Sequence, residues 1–176
     1  IINVGSGTYT EDDIQISKSA MTIDGAGSTT IFDGNHTERL FTIVADNVTI
    51  SDMLIMEYGH QSGNGNTQGG GAIRIGGVAD GSTTTYSTSY SGININYVTF
   101  KDNHVNATSG DGGAIELVKI SGNATIAVDV LGCVFYGNKA GTANSSDNGS
   151  FNGGAIKLDN GSDMTVTGSL FYENTA

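Results

Sequence analysis

The chain has 176 residues, of which 37% are hydrophobic, so it is long and apolar enough for one packed domain, and disorder is not expected. The sum of 18 Asp and Glu against 7 Lys and Arg gives a formal net charge of −11, which repels nucleic-acid phosphates and anionic lipid surfaces. Only 14% of the residues are charged, so Gly, Ser, Thr and Asn must supply much of the polar surface, a composition that suits secretion. We therefore expect no nucleic-acid partner.

The first sixty residues predict a series of short β-strands. Apolar and polar positions alternate with a period of two, in runs separated by Gly, Asp and Asn turn signals. These runs lie at 14–16, 21–23, 31–32, 40–44 and 48–50. No segment of the chain has a convincing helical period, so the fold is expected to be all-β.

From Gly70 onward, a pair of motifs recurs three times. Gly-Gly-Ala-Ile begins at Gly70, Gly112 and Gly153, and each copy continues as a short alternating strand. Phe-x-x-Asn follows each copy, as Phe100 with Asn103, Phe135 with Asn138, and Phe171 with Asn174. An earlier, degenerate copy has Tyr58 where the others have Asn.

The repeat predicts a solenoid, in which each strand pairs with its equivalent in the preceding coil. The spacing is 35 residues from Phe100 to Phe135 and 36 from Phe135 to Phe171. We expect a parallel β-helix of roughly five coils, with about three strands per coil. An antiparallel sandwich also has many short strands, but it has no reason to place the same Phe, Asn and Gly-Gly-Ala in successive units.

Stacking of equivalent residues predicts structural roles for most of the repeat. The Phe residues should form an internal aromatic stack, and the Asn residues a ladder of amide hydrogen bonds from coil to coil. The repeated glycines suit a positive φ or a close approach of two backbones. The alanines should point inward where space is small; they are Ala72, Ala114 and Ala155.

The charged and metal-ligating residues favour structure over catalysis. The three residues that follow Gly-Gly-Ala-Ile are expected to form an outward ladder of alternating charge; they are Arg74, Glu116 and Lys157. Asp24 and Asp33 lie in Asp-Gly turns, and the histidines share no repeat position. The histidines, expected to be solvated, are His36, His60 and His104. We assign no catalytic residue, metal site or cofactor, and Ca²⁺ at the loop residues Asp111 and Asp147 is the alternative left open.

The insertions are the best candidates for a binding surface. Loops rich in Gly, Asn and Ser lie within 58–70, 103–112 and 138–153, and they occupy the same slot of the repeat. We therefore expect them on one side of the solenoid, where insertions commonly bind partners, although flexible spacers have the same composition. The run from Asp80 to Ser91 contains Tyr86 and Tyr90, which are predicted to stack on sugars or to enter protein pockets. A solvated or strand-like structure for that run is the alternative.

Two stretches of the chain resemble known families. Gly-Gly-Ala-Ile paired with Phe-x-x-Asn, between Gly70 and Asn174, resembles the repeat signature of the chlamydial polymorphic outer membrane proteins. The opening has Val-Gly-Ser-Gly-Thr-Tyr at 4–9, Ile-Asp-Gly-Ala-Gly at 23–27 and Thr-Ile-Phe-Asp-Gly at 30–34. It is similar to the start of the β-helix domains in adhesin-like surface proteins of methanogenic archaea, which usually carry Pro where this chain has Ser6. The resemblance implies a right-handed parallel β-helix, displayed outside the cell, with a role in adhesion.

These observations favour a single domain, 1–176, that is part of a longer extracellular surface protein. We expect a non-enzymatic adhesin-like domain that attaches to a host or partner-cell protein or to a glycan. The alternative is a polysaccharide lyase or hydrolase, or a carbohydrate-binding module, on the same fold. No apolar run approaches the roughly 20 residues that cross a bilayer, so membrane insertion of this segment is not expected. Asn-x-Ser/Thr sites for glycosylation occur at Asn35, Asn47, Asn106, Asn123, Asn144, Asn148 and Asn160.

Overall fold

The computed structural model describes residues 1–59, 69–77, 88–105, 111–118, 124–141, 152–159 and 161–176. Apart from one turn of 3₁₀-helix at Gly27–Thr29, the regular elements in these residues are β-strands. The strands are β1 Ile2–Asn3, β2 Gly7–Tyr9, β3 Ile14–Ile16, β4 Met21–Asp24, β5 Thr30–Asp33, β6 Phe41–Ile43, β7 Val48–Met56, β8 Ile73–Ile75, β9 Tyr90–Lys101, β10 His104–Val105, β11 Ile115–Leu117, β12 Ile126–Leu131, β13 Val134–Tyr136, β14 Lys139–Ala140, β15 Ile156–Leu158, β16 Ser162–Thr167 and β17 Leu170–Tyr172. The expected all-β class is therefore confirmed.

The strands form parallel sheets. The largest has ten strands, in the order β1-β4-β7-β9-β12-β16; β2 and β5 continue it beside β7, and β13 and β17 beside β9. The second has the order β3-β6-β8-β11-β15, and the third pairs β10 with β14. Every strand pair in the described ranges is parallel, which excludes the antiparallel sandwich.

The register pairs equivalent positions of successive repeats. Phe100 pairs with Phe135, and Phe135 pairs with Phe171. In the second sheet, Ile115 lies between Ile73 and Ile156, so the last residues of the three Gly-Gly-Ala-Ile copies are neighbours. The repeat in the sequence is thus a repeat in space.

Alternation along the strands builds a single core. In β9, Ile93, Ile95, Val98 and Phe100 are fully buried, and the residues that alternate with them are more exposed. Burial of such a side chain stabilises the fold by about 1.5–3 kcal/mol. Because β-branched residues suit a pleated surface, the Ile-rich runs favour strands as well as burial.

The two longest strands bend at a residue in the left-handed region. Asp52 bends β7 with φ 54°, and Tyr97 bends β9 with φ 56°. In the next two repeats, the bend separates two strands and is occupied by glycine, Gly132 with φ 62° and Gly168 with φ 59°. A left-handed φ costs glycine little, and Asp tolerates it better than bulky residues do.

The repeated glycine pair has both of the expected causes, a positive φ and a close approach of two backbones. The first glycine of each pair has a positive φ, 73° at Gly70, 68° at Gly112 and 68° at Gly153. The second glycine lies against the backbone of the next repeat: a Cβ on Gly113 would be 2.0 Å from the carbonyl oxygen of Gly154. Any side chain there would force adjacent repeats apart.

Candidate functional site

The repeated Phe rings form a stack through the core. The ring centroids of Phe100 and Phe135 are 4.9 Å apart, and those of Phe135 and Phe171 are 4.5 Å apart. Phe100 and Phe135 are fully buried, as are Ala72 and Ala114, and Ala155 is nearly so. Phe171, however, is 44% exposed, so the expectation of an internal ring was wrong for this residue. No described strand packs over its outer face, because β17 pairs only with β13.

The repeated Asn residues form the expected ladder next to this stack. The backbone N–H and Nδ2 of Asn103 donate to Oδ1 of Asn138 at 3.1 and 3.0 Å. The same groups of Asn138 donate to Oδ1 of Asn174 at 3.0 and 2.9 Å. Tyr58, which replaces Asn in the degenerate copy, ends the ladder by donating its backbone N–H to Oδ1 of Asn103 at 3.1 Å. The ladder therefore satisfies buried polar groups in a low-dielectric interior.

The ladder lies where the three insertions leave the sheets. The segments that follow Tyr58, Asn103 and Asn138 lie side by side. His104 donates its backbone N–H to the carbonyl of Tyr58 at 2.8 Å, and Gly141 donates its backbone N–H to the carbonyl of Val105 at 2.9 Å. The insertions themselves, 60–68, 106–110 and 142–151, lie outside the described residues. Their departing stems are thus aligned at one corner of the scaffold.

The returning stems are also aligned. Gly70 donates its backbone N–H to the carbonyl of Asp111 at 2.9 Å, and Gly112 donates to Asn152 at 2.9 Å. We name the departing stems at 58–59, 103–105 and 138–141, with the returning stems at 69–70, 111–112 and 152–153, the stem corner. Both ends of each insertion are therefore held in register with their counterparts in the neighbouring repeat.

A cluster of buried charges lies beside the returning stems. Glu116, which is 5% exposed, is flanked in the register by Arg74 and Lys157. Its Oε2 is 3.6 Å from Nε of Arg74, and its Oε1 is 3.7 Å from Nζ of Lys157. Lys157 also forms ion pairs with Asp111 and Asp159. Arg39 is buried in the same region.

This cluster corrects the expected outward charge ladder. Arg74, Glu116 and Lys157 do alternate in charge along the sheet, but Arg74 and Glu116 are buried and Lys157 is largely covered. The side chains point away from the apolar core, and the returning stems pack against them. Gly69 shows how close this packing is, because a Cβ there would be 2.7 Å from the carboxyl carbon of Glu116.

Burial and mutual pairing shift the pKa values in the cluster in opposite directions. Burial raises the pKa of Glu116, although the charges of Arg74 and Lys157 oppose this. Burial also lowers the pKa of Arg39 to about 10, and the nearby Arg74 adds to the effect. For Lys157, burial alone would lower the pKa, but the hydrogen bond to Asp111 and the charge of Glu116 outweigh it and raise the pKa.

The cluster fastens the returning stems. Arg39 donates from Nε to the carbonyl of Gly70 and from Nη2 to the carbonyl of Gly69, both at 2.8 Å. Asp111 accepts from the backbone N–H of Asn152 at 2.7 Å while it pairs with Lys157. Charge-assisted bonds of this kind are stronger than neutral ones. This arrangement supports a structural role, in which the buried charges hold the returning stems against the second sheet.

The two predicted binding tyrosines are not brought together as a described site. Tyr86 lies outside the described residues, as does most of the run from Asp80 to Ser91. Tyr90 is half-buried and packs against the hydrophobic core at the start of β9. The prediction of an exposed stacking ring was therefore wrong for Tyr90, because this residue begins a strand of the large sheet.

The remaining candidate residues have local structural roles. Asp33 accepts the backbone N–H of Asn35 at 3.1 Å, as in a turn, and Asp24 accepts a 2.5 Å hydrogen bond from the Ser51 hydroxyl. His104 is not simply solvated: it contacts the carbonyl of Gly141 through Nε2 at 2.7 Å, and burial lowers its pKa. Burial raises the pKa of Cys133 to about 11, as expected for an inert buried thiol.

Other sequence-based expectations are covered only in part by the described ranges. Within those ranges, no three His, Cys, Asp or Glu side chains are grouped closely enough to hold a metal ion. The glycosylation acceptors Asn35 and Asn47 are exposed, and the other five lie outside these ranges. No helix in the described part is long and apolar enough to span a membrane.

Sequence reasoning missed Arg39 because this residue has no counterpart in the repeat. The available signal was composition: the chain has only 7 Lys and Arg residues, and Arg39 directly precedes the apolar run at 40–44. A scan against protein-family models found no match for this chain, and searches of the curated proteins and of the solved structures found none either.

Proposed function

We propose that the chain is an extracellular, cell-surface, adhesin-like domain built on a right-handed parallel β-helix of roughly five coils. The uniformly parallel pairing and the register between equivalent repeat positions support the β-helix. The right-handed sense follows from the general preference of parallel crossovers, about 98% of which are right-handed. The resemblance to adhesin-like surface proteins and to polymorphic outer membrane proteins supports the location and the role in attachment.

The alignment of the stem corner is the observation that carries this proposal. The stems of three insertions leave and return in register at one corner of the parallel sheets. Binding residues occur on loops held by a scaffold more often than on the scaffold itself. The proposed partner is a protein or a glycan on a host or partner cell, and the exposed Asn-x-Ser/Thr sites allow the domain to be a glycoprotein.

Excision of the loops tests the proposal. In the test variant, Gly-Ser linkers of two residues replace 60–68, 106–110 and 142–151, and the stems remain intact. We expect the variant to keep the unfolding transition of the parent while it loses attachment to cells and to arrayed glycans and surface proteins. As a matched control, the loops are replaced by scrambled sequences of the same length. Attachment by the loop-free variant at the level of the parent would contradict the proposal.

A polysaccharide-active enzyme is the second candidate, and the charged cluster is the observation that favours it. The cluster places Arg39, Arg74 and Lys157 beside Glu116, and a lyase needs a base together with a cation that binds an acidic sugar. The ion pairs of Lys157 and the two carbonyl contacts of Arg39 favour the anchoring role instead. Incubation with acidic and neutral polysaccharides, with and without Ca²⁺, distinguishes the two: release of soluble sugar that Glu116→Gln abolishes would establish the enzyme.

A further inference from the structure

Tyr97 is an exposed aromatic residue at a position where the scaffold does not need one. Its side chain is 58% exposed, and its backbone has φ 56°. The equivalent bends have Asp52, Gly132 and Gly168, which accept this φ at lower cost. A left-handed φ kept at a bulky, exposed residue that does not fill the core is typical of functional positions.

The ring of Tyr97 lies across the bend of the next repeat. A Cβ on Gly132 would be 2.7 Å from Cδ1 and 2.8 Å from Cε1 of Tyr97, so this glycine leaves the space that the ring occupies. Among the described residues, the Tyr97 hydroxyl has no hydrogen-bond partner. The ring thus rests with one side against the backbone of the neighbouring repeat, and much of its remaining surface is open to solvent.

Two rows of side chains, short and polar except for Leu131, extend along the outer face of β9, β12 and β16. Asn94, Asp129 and Thr165 are aligned across the three strands, and Asn96, Leu131 and Thr167 form the next row. A shallow depression of about 80 Å³ adjoins the first row and is lined by Gly92, Ala127, Val128, Asp129, Asp163 and Thr165. We name Tyr97, the two rows and this depression the tyrosine face.

The distances along the tyrosine face match a short oligosaccharide. Asp129, which lines the depression, precedes Gly132 by three residues, so the backbones of these two positions are about 10 Å apart at the rise of a β-strand. A flat, exposed ring suits the apolar C–H side of a pyranose, and carboxylate, amide and hydroxyl groups suit its hydroxyls. The short Asn, Asp and Thr side chains also lose little conformational entropy on binding.

Charge restricts the ligand further. Asp129 and Asp163 are exposed at the depression, and no described Lys or Arg lines it. In a chain with a net charge of −11, this face repels uronates, sialosides and sulfated sugars. We propose that the tyrosine face binds an uncharged oligosaccharide, with one pyranose on the ring of Tyr97 and the next bonded to Asp129, Asn94 and Thr165. The site consists of strand residues and includes none of the residues of the stem corner, so the proposal does not rest on the loops.

Titration of an array of uncharged gluco-, manno-, galacto-, xylo- and chito-oligosaccharides tests this site, with polygalacturonate as the anionic comparison. We expect one neutral class to bind and Tyr97→Gly to weaken that binding about tenfold or more, whereas Tyr97→Phe retains it. Because Gly is the residue at the equivalent bends, Tyr97→Gly should unfold at the same denaturant concentration as the parent or a higher one. Tyr172→Ser, which removes an exposed tyrosine from another face, is the matched control and should bind as the parent does.

The proposal is overturned by no binding to any neutral oligosaccharide, by binding that survives Tyr97→Gly in a folded protein, or by preferred binding of polygalacturonate. The loop-free variant separates this site from the loops. Retention of neutral-sugar binding in that variant supports the tyrosine face even if cell attachment does not depend on the loops. Loss of neutral-sugar binding in the loop-free variant would place the sugar-binding site in the loops and contradict the proposed site on the tyrosine face.

Discussion

The side chain of Asn138 forms four hydrogen bonds in the middle of the ladder. Its Oδ1 accepts two hydrogen bonds from Asn103, and its Nδ2 donates to Oδ1 of Asn174 and to the carbonyl of Phe100. We expect Asn138→Ala to lower the free energy of unfolding by about 1–3 kcal/mol, because the Asn103 groups are left buried without an acceptor. Urea denaturation measures this loss.

Asn174→Ala is the matched control for Asn138→Ala. Asn174 accepts the same pair of hydrogen bonds from Asn138, but it lies in the last repeat and is half-exposed, so water can replace part of what is lost. We expect a smaller loss for Asn174→Ala than for Asn138→Ala. Equal denaturation midpoints for Asn138→Ala and the parent protein would contradict a stabilising ladder.

The residues whose structural roles could be predicted from the sequence are those that recur at the same position of each repeat. Phe135, Asn138 and Ala114 each have an equivalent in the neighbouring units, and parallel stacking turns sequence equivalence into contact. Arg39 and Tyr97 have no such equivalent, so only the structure reveals them. A repeated residue indicates an environment that the repeats share. Arg39 and Tyr97 instead make contacts that the equivalent positions of other repeats do not make.

At the scale of the strand, alternation predicts which side of a sheet a residue faces but not whether that side is covered. In β8, β11 and β15, the charged central residues do face away from the apolar core. Their burial depends on Asp111 and Gly69, which pack against them from stems distant in sequence. No local pattern encodes that contact, so the sequence predicted the charge ladder but not its burial.

The strand β15 carries a prediction about alkaline pH. Because the folded protein raises the pKa of Lys157 above its ordinary value of 10.5, its stabilising contribution is fully present below pH 10.5 and is lost as the pH rises through the raised value. We expect Lys157→Met to be less stable than the parent at pH 8 and the gap between them to narrow above pH 10.5. Thermal denaturation across this range measures the gap.

Lys18→Met supplies the control for Lys157→Met. Lys18 is an exposed lysine of the first repeats, so its replacement removes one positive charge without disturbing the buried cluster. At pH 8, the stability gap between the parent and Lys18→Met should be smaller than the gap for Lys157→Met. If the stability gap between the parent and Lys157→Met stays constant from pH 8 to above 10.5, the ion pairs of Lys157 do not stabilise the fold.

At the scale of the whole molecule, the described sheets have inner strands with two neighbours and outer strands with one. The strands β15, β16 and β17 each have described neighbours on one side only, and Leu158, Val166 and Leu170 are exposed there. In stacked repeats, stability is approximately the sum of the repeats and of the interfaces between neighbours. The first and the last described repeats each have one such interface and should be less stable than the repeats between them.

Phe135→Ala and Phe171→Ala compare the same substitution in the interior and at the end. Phe135 is fully buried between two rings, so Phe135→Ala should lower the free energy of unfolding by about 3–5 kcal/mol. Phe171 is 44% exposed and stacks on one ring among the described residues, so Phe171→Ala should lower it by less than half as much. In hydrogen exchange, the amides of β16 and β17 should exchange faster than those of β12 and β13. Equal losses of unfolding free energy for the two variants, together with equal amide protection of the two sets of strands, would mean that the outer face of Phe171 is covered in solution. Sedimentation at several concentrations would then show whether a second copy covers it.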